Sequence, residues 1–277
     1  MFRAMEALNA HELAWAAGFF DAEGNVCYAA AGRGRRRAQA SLSQAGSTYP
    51  PTLSRFHDAI GGLGNRLRTP ARGYLFYWYS HRLDHIRMTG TLLWPWLSSK
   101  KREQFAGVIS RSSSVPWEAP HESQDTHDAA HELAWAAGFF DGEGSFAASG
   151  SSAWRVISAS IPQSSLDGIP ETLIRFQRAV GRGTISGPKP QHNAWSKLPR
   201  YRWSSSSLGD VEATVHMLWS HLSAAKRQQA LAALERYGTS ARQLANGSAY
   251  SRQTRGSDGN PKTGDPVTPP VGESPVR

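Results

Sequence analysis

The chain has 277 residues, 39% hydrophobic and 10% aromatic, which is enough for one large core or two ordinary ones and too apolar for full disorder. A net charge of +9 and a sequence pI near 10.0 point towards polyanionic partners. The single cysteine, Cys27, excludes an internal disulfide or a thiolate zinc cluster, and no apolar run reaches the ~18–20 residues of a membrane span or forms a signal-peptide core, so a reducing cytoplasm is the expected compartment.

In chain order, the first predicted element is a helix through "HELAWAAGFFDAEG" (His11–Gly24). Asn9 stands at its N-cap with Glu12 three residues on, a capping-box spacing, and Gly24 stands just past its end. The basic turn "GRGRRR" (Gly32–Arg37) follows. The strand "RAQASLSQ" then alternates, with Arg37, Gln39, Ser41 and Ser43 on one face and Ala38, Ala40 and Leu42 on the other. "TLSRFHDAIGG" has helical spacing, Arg66 and Arg68 have strand spacing, and "GYLFYWYS" (Gly73–Ser80) is an aromatic strand. A helical region, "TLLWPWLSSKKREQ", closes the unit, and the Ser/Pro/His/Asp-rich stretch 111–130 reads as a linker.

The same order then recurs. "HELAWAAGFFDGEG" (His131–Gly144) differs from the first segment only at Gly142 against Ala22. "RVISASIPQ" sets Val156, Ser158 and Ser160 against Ile157, Ala159 and Ile161, Gln163 matches Gln44, and Lys226-Arg227 matches Lys101-Arg102. The Pro-rich stretch Ser186–Arg200 accounts for the few extra residues of the second copy. This predicts units at 1–110 and 131–238, followed by a Ser/Gly/Thr/Pro-rich tail, 239–277, too poor in apolar residues to fold.

Placed on a helix, Ala14, Ala17, Gly18 and Asp21 form one narrow stripe of small side chains, and Ala134, Ala137, Gly138 and Asp141 repeat it. Such stripes allow backbones to approach closely, so the simplest partner for each is the other, across a pseudo-twofold axis. Parallel packing would gather Asp21, Glu23, Asp141 and Glu143 at two helix C-termini, where the dipole already disfavours negative charge. Hard divalent cations stabilise such a gathering. Either Asp21 and Asp141 join the metal group or they cap backbone groups.

At "AAGFFDAEG" (Ala16–Gly24) and "AAGFFDGEG" (Ala136–Gly144) the chain resembles the LAGLIDADG homing endonucleases of the single-chain, two-repeat kind, over roughly residues 8–236. The resemblance implies an α+β fold of two pseudo-symmetric αββαββα units, their signature helices forming the interface and their antiparallel sheets a saddle over DNA. It implies that Glu23 and Glu143 bind Mg²⁺ and the scissile phosphate, with Asp21 and Asp141 as further metal candidates, and that Mn²⁺ substitutes while Ca²⁺ supports binding without efficient cleavage. Gln44 and Gln163 then fit the polar group at the end of the second strand. Lys101 and Lys226 fit the active-site lysine, with Lys100 an adjacent rival to Lys101. Such groups suit phosphodiester hydrolysis, which needs an activated water, a stabilised leaving oxygen and charge neutralisation. The expected partner is double-stranded DNA with a long asymmetric or pseudo-palindromic site, bound by a monomer. Gln39, Ser41, Ser43, Ser158, Ser160, Arg66 and Arg68 suit base edges. Arg33, Arg35, Arg36, Arg37, Arg72, Lys189, Lys197, Arg200 and Arg202 suit phosphates.

The competing reading is a LAGLIDADG-type binding module without cleavage, either a DNA-binding regulator or an intron RNA-splicing maturase. Loss of the acidic pair would favour it, and both glutamates are present. A zinc hydrolase finds no support: "HDAAHE" (His127–Glu132) straddles linker and helix start and lacks an HExxH pattern. Intein splicing is disfavoured because the sole cysteine falls inside a strand.

Overall fold

The computed structural model describes residues 8–30, 36–69, 74–113, 115–120, 128–151, 154–190 and 198–238. Arg33, Arg35, Arg72, Lys197 and the tail from Thr239 lie outside the described residues.

The first unit runs α1 (Ala10–Glu23), β1 (Asn25–Ala30), β2 (Arg36–Ala45), α2 (Pro51–Ala59), β3 (Asn65–Thr69), β4 (Leu75–Ser80), α3 (Leu83–Leu93), a 3-10 turn (Trp94–Trp96) and α4 (Ser99–Ser112). The second repeats it as α5 (Ala129–Glu143), β5 (Ser145–Ser151), β6 (Trp154–Ser164), α6 (Glu171–Val180), β7 (Thr184–Lys189), β8 (Arg200–Ser205), α7 (Leu208–Leu218) and α8 (Ala224–Tyr237). Each unit thus closes with two helices, and the fold is α+β. Two antiparallel sheets form, in the orders β1-β2-β4-β3 and β5-β6-β8-β7.

Alternation decides what each sheet covers. Ala38, Ala40, Leu42, Phe76 and Trp78 are buried beneath the helices, as are Ile157, Ala159, Ile161, Tyr201 and Trp203 in the second unit. The intervening residues face the open side. Arg36 and Arg37 belong to β2, paired with Ala30 and Ala29, rather than to a turn.

The two signature helices pack on each other along their lengths, in parallel, and every residue from Ala14 to Asp21 and from Ala134 to Asp141 is buried. A helix apolar all round needs cover on every side, and here one side is its own unit while the other is the partner helix. A Cβ on Gly18 would lie 1.9 Å from the Trp135 carbonyl oxygen, and one on Gly138 would lie 1.9 Å from that of Trp15. The equality of these clashes is the pseudo-twofold axis in numerical form. Ala22 and Gly142 meet each other at that axis: a Cβ on Gly142 would sit 2.4 Å from Ala22 Cβ. Only one of the two positions has room for a methyl group, which explains the one difference between the repeated segments.

The capping box is half realised. Asn9 Oδ1 accepts from the backbone N–H groups of His11 (2.9 Å) and Glu12 (3.4 Å), whereas the Glu12 carboxylate turns to Arg55 at 2.8 Å. Arg55 also donates to the carbonyl of His221 (2.6 Å) in the other unit and stacks 4.0 Å above the Trp15 ring. Arg175 mirrors it, pairing with Glu132, donating to the Trp96 carbonyl (2.5 Å) and lying 4.0 Å above Trp135. Two guanidinium groups therefore brace each unit against its neighbour.

Candidate active site

α1 and α5 end side by side, and each helix passes through one glycine directly into the first strand of its sheet. Glu23 and Glu143 are the last helical residues. Their closeness shows in two ways: a Cβ on Gly142 would lie 3.1 Å from Glu23 Cγ, and the two carboxylates share the same pair of lysines. The Glu23 carboxyl is pushed up to about 7, by burial first and by the Glu143 charge next, against the pull of Lys226 and Lys101. Burial raises Glu143 as well, opposed by Lys101, Arg200 and Lys226. Two half-buried like charges at two helix C-termini are held against their own repulsion.

The lysines reach this place from α4 and α8. Lys101 Nζ donates to the carbonyl of Gly24, and Lys226 Nζ donates to that of Gly144 at 2.6 Å. Each ammonium thus satisfies a helix-terminal carbonyl beside the glutamates, and burial lowers both lysine pKa values. Lys100 is exposed on the same helix, so the helical phase selects Lys101.

Asp21 and Asp141 require a correction. They are buried, and Asp21 accepts from the backbone N–H of Ser98 (3.0 Å), the Ser98 hydroxyl (2.6 Å) and Trp135 Nε1 (2.9 Å). Asp141 accepts from Ser223 N–H (2.9 Å), the Ser223 hydroxyl (2.7 Å) and Trp15 Nε1 (2.8 Å). Of the two roles open in the sequence, the structure selects the capping one. Each aspartate fastens the N-cap serine of the lysine-bearing helix and, across the interface, a tryptophan of the other unit. Burial lifts Asp21 to about 6 against the Ser98 and Trp135 donors. These residues position the lysines, and their oxygens are already engaged.

Gln44 and Gln163 do end their strands, but the Oε1 atom of each accepts from a threonine hydroxyl, Thr52 and Thr172 (2.5 Å) respectively. The amide NH₂ is then the donor each can offer. Three residues beyond Lys226, Gln229 Oε1 accepts from the Phe146 N–H (3.3 Å), while Gln104 Oε1, three beyond Lys101, is buried without a hydrogen-bond partner.

The open sheet faces flank the helix ends. Arg37, Gln39, Ser41 and Ser43 share one open face, and Ser158, Ser160, Arg200, Arg202 and Lys189 share the other. Arg66 departs from expectation, because the β3–β4 register sets it opposite Trp78, on the helix-covered side of the sheet, while the backbone of Arg68 pairs with that of Phe76. β3 is an edge strand, and Arg66 stays exposed there, 5.8 Å above the Tyr49 ring. Several open-face residues escaped the sequence reading. Tyr77 and Tyr79 pair with Ser43 and Ser41, Asn25 also pairs with Ser41, and Ser145 and Ser204 both pair with Ser160. The alternation of Tyr77 and Tyr79 with Phe76 and Trp78 was the available signal.

Among the described residues no group of three or more His, Cys, Asp or Glu side chains is arranged to hold a metal ion alone. Two carboxylates destabilised by burial and each other fit a hard ion that completes its shell with water and phosphate oxygens. No helix among the described residues is long and apolar enough to cross a membrane.

The architecture is that of the two-unit LAGLIDADG homing endonucleases. Solved structures of this fold similar to the chain include the LAGLIDADG meganuclease I-AabMI bound to uncleaved DNA (TM-score 0.59, 14% identity, 83% of this chain and 90% of that one). They also include the LAGLIDADG homing endonuclease I-GzeII in complex with its DNA target (TM-score 0.51, 15% identity, 88% and 93%). A third is I-SmaMI bound to uncleaved DNA in the presence of calcium ions (TM-score 0.51, 16% identity, 85% and 98%). No family model and no curated protein matches the sequence.

Proposed function

We propose that the protein is a monomeric, site-specific DNA endonuclease that hydrolyses phosphodiesters with the aid of divalent metal ions. The observation that carries the reading is the convergence of Glu23, Glu143, Lys101 and Lys226 at the paired helix ends, between two polar and basic sheet faces. The fold is shared with proteins solved on DNA, and I-SmaMI has also been solved bound to cleaved DNA (TM-score 0.51, 14% identity, 88% of this chain and 98% of that one).

On this reading Glu23 and Glu143 would hold Mg²⁺ or Mn²⁺, which supplies charge neutralisation at the phosphate and acidifies water when bound. Lys101 and Lys226, fixed by the glycine carbonyls, place two cations beside the phosphates and partly offset the burial that raises the glutamates. The NH₂ groups of Gln44 and Gln163 supply neutral donors for water or phosphate. Arg36, Arg37, Lys189 and Arg202 grip the DNA backbone, while Gln39, Ser41, Ser43, Ser158, Ser160, Tyr77 and Tyr79 face base edges. The test is selection of cut sites from a randomised duplex library with Mg²⁺ present. Recovery of one defined site cut on both strands is expected. Binding to a defined site that is never cut with Mg²⁺ or Mn²⁺ would transfer the protein to the binding-module class.

A further inference from the structure

The residues that build the site are symmetric between the units, but the strand beside it is not. In the first unit β2 ends at Gln44 and Ala45, and Ala45 pairs with Leu75 of β4. In the second, β6 ends at Gln163 and Ser164, and Ser164 pairs with Arg200 of β8. Arg200 therefore occupies the place that Leu75 holds in the other unit. One step along, Arg202 likewise stands where Tyr77 does, opposite Pro162 and Ser43 respectively.

The register also relates Arg200 to the helix end. Ser145, which follows Glu143 and Gly144, pairs with Ser160, and Ser160 pairs with Ser204. Running back from Ser145 towards Glu143 is running along β6 towards Pro162 and Ser164, the end where Arg200 lies. Arg200 alternates with the buried Tyr201 and Trp203, so it is on the open face. From there, at the strand end that adjoins Gly144 and Glu143, its guanidinium is close enough to the Glu143 carboxylate for the two charges to interact. Among the described residues, Lys226 and Lys101 are the cations beside Glu23.

We infer that Arg200 makes the two cutting sites unequal: it is an added cation for the phosphate cut beside Glu143, so that strand is cleaved ahead of the strand served by Glu23. The inference rests on the endonuclease reading above. In the hydrolysis, the water oxygen bonds to phosphorus as one phosphorus–oxygen ester bond breaks, and a proton from the water ends on the departing oxygen. The non-bridging oxygens gather charge as this happens. A forked guanidinium next to them stabilises that charge more than the starting diester, and so it accelerates the step. Leu75 can give nothing equivalent.

The experiment uses the full chain, Mg²⁺, and a duplex recovered by selection on the wild type, with a different fluorophore on each strand. Wild type should cut one strand several-fold faster, so that a nicked duplex accumulates. Arg200→Leu should slow that strand by about 10–100-fold, leave the other within about twofold, and reverse or abolish the order. Leu75→Arg should speed the lagging strand. Equal slowing of both strands, or no change in either, overturns the inference while leaving the endonuclease reading intact. A wild type that cuts neither strand overturns both. If Arg200→Leu fails to fold, judged by its unfolding transition, Arg200→Lys decides: it keeps the charge, loses the fork and should slow the same strand alone.

Discussion

Ala22 and Gly142 offer the sharpest test of the interface, because a residue and its own symmetry mate meet there. Gly142→Ala would put two methyl carbons 2.4 Å apart, against an ordinary separation of about 3.5–4.0 Å. The helix ends must therefore part by about 1 Å, a strain of the overpacking kind that costs about 1–3 kcal/mol. Alanine recovers at most about 1 kcal/mol of helix propensity. The net loss is roughly 1–2 kcal/mol, or about 2–8 °C in Tm for a chain of this size. Ala22→Gly alone should lose about 1 kcal/mol or less, since it removes a methyl and gives up propensity. The swap, Ala22→Gly with Gly142→Ala, restores one methyl and one hydrogen at the axis. It should return to within about 0.5 kcal/mol of wild type, with a coupling energy in the range of contacting residues. Urea unfolding of the four proteins measures this. A swap as unstable as the sum of its two single variants would refute the meeting of these residues at a pseudo-twofold axis.

Asp21→Asn and Asp141→Asn should each destabilise by about 2–3 kcal/mol, because the amide presents N–H groups to a serine N–H and an indole N–H that need acceptors; unfolding with and without Mg²⁺ should show the same loss in both. Glu23 is raised from 4.5 to about 7, so between those values the folded state holds a proton that the unfolded state has released, and the stability of metal-free protein should fall as pH rises through that window, by at most about 3 kcal/mol. Glu23→Gln should flatten that limb and be the more stable protein at pH 8 in EDTA; a wild type whose stability rises from pH 5 to pH 8 contradicts the crowding of the two carboxylates. Binding to the selected duplex should weaken with salt at a log–log slope of about −0.9 per neutralised phosphate, and a slope near zero removes DNA as the partner.

Much of this architecture could be read from the chain because it is written twice. The small-residue stripe, the alternation of Gln39, Ser41 and Ser43 with Ala38, Ala40 and Leu42, and the acidic helix ends are local patterns with local causes. What escaped depends on partners distant in sequence. Asp21 looked like a metal candidate because its acceptor role depends on Ser98 and Trp135, and neither lies near it in the chain. Arg66 alternates as an open-face residue should, but only the β3–β4 register decides which parity meets Trp78. Gly24 stood as a helix-ending glycine, yet its backbone is extended (φ −75°) rather than left-handed, and a side chain there would strike the Phe20 carbonyl at 2.4 Å. The bracing of Arg55 on the His221 carbonyl leaves no trace in composition, since a carbonyl carries no side-chain signal.

The role proposed for the two glutamates at the paired helix ends is to hold the metal ions that cut DNA. Its direct measurement compares wild type with the Glu23→Gln and Glu143→Gln double variant on one selected duplex, with cleavage followed in Mg²⁺ and binding followed in Ca²⁺. These substitutions keep side-chain size and the open sheet faces while removing the charge that would hold the metal. The double variant should bind the duplex about as tightly as wild type and cut neither strand. Cleavage by the double variant at the wild-type rate would contradict it and make the carboxylate pair structural.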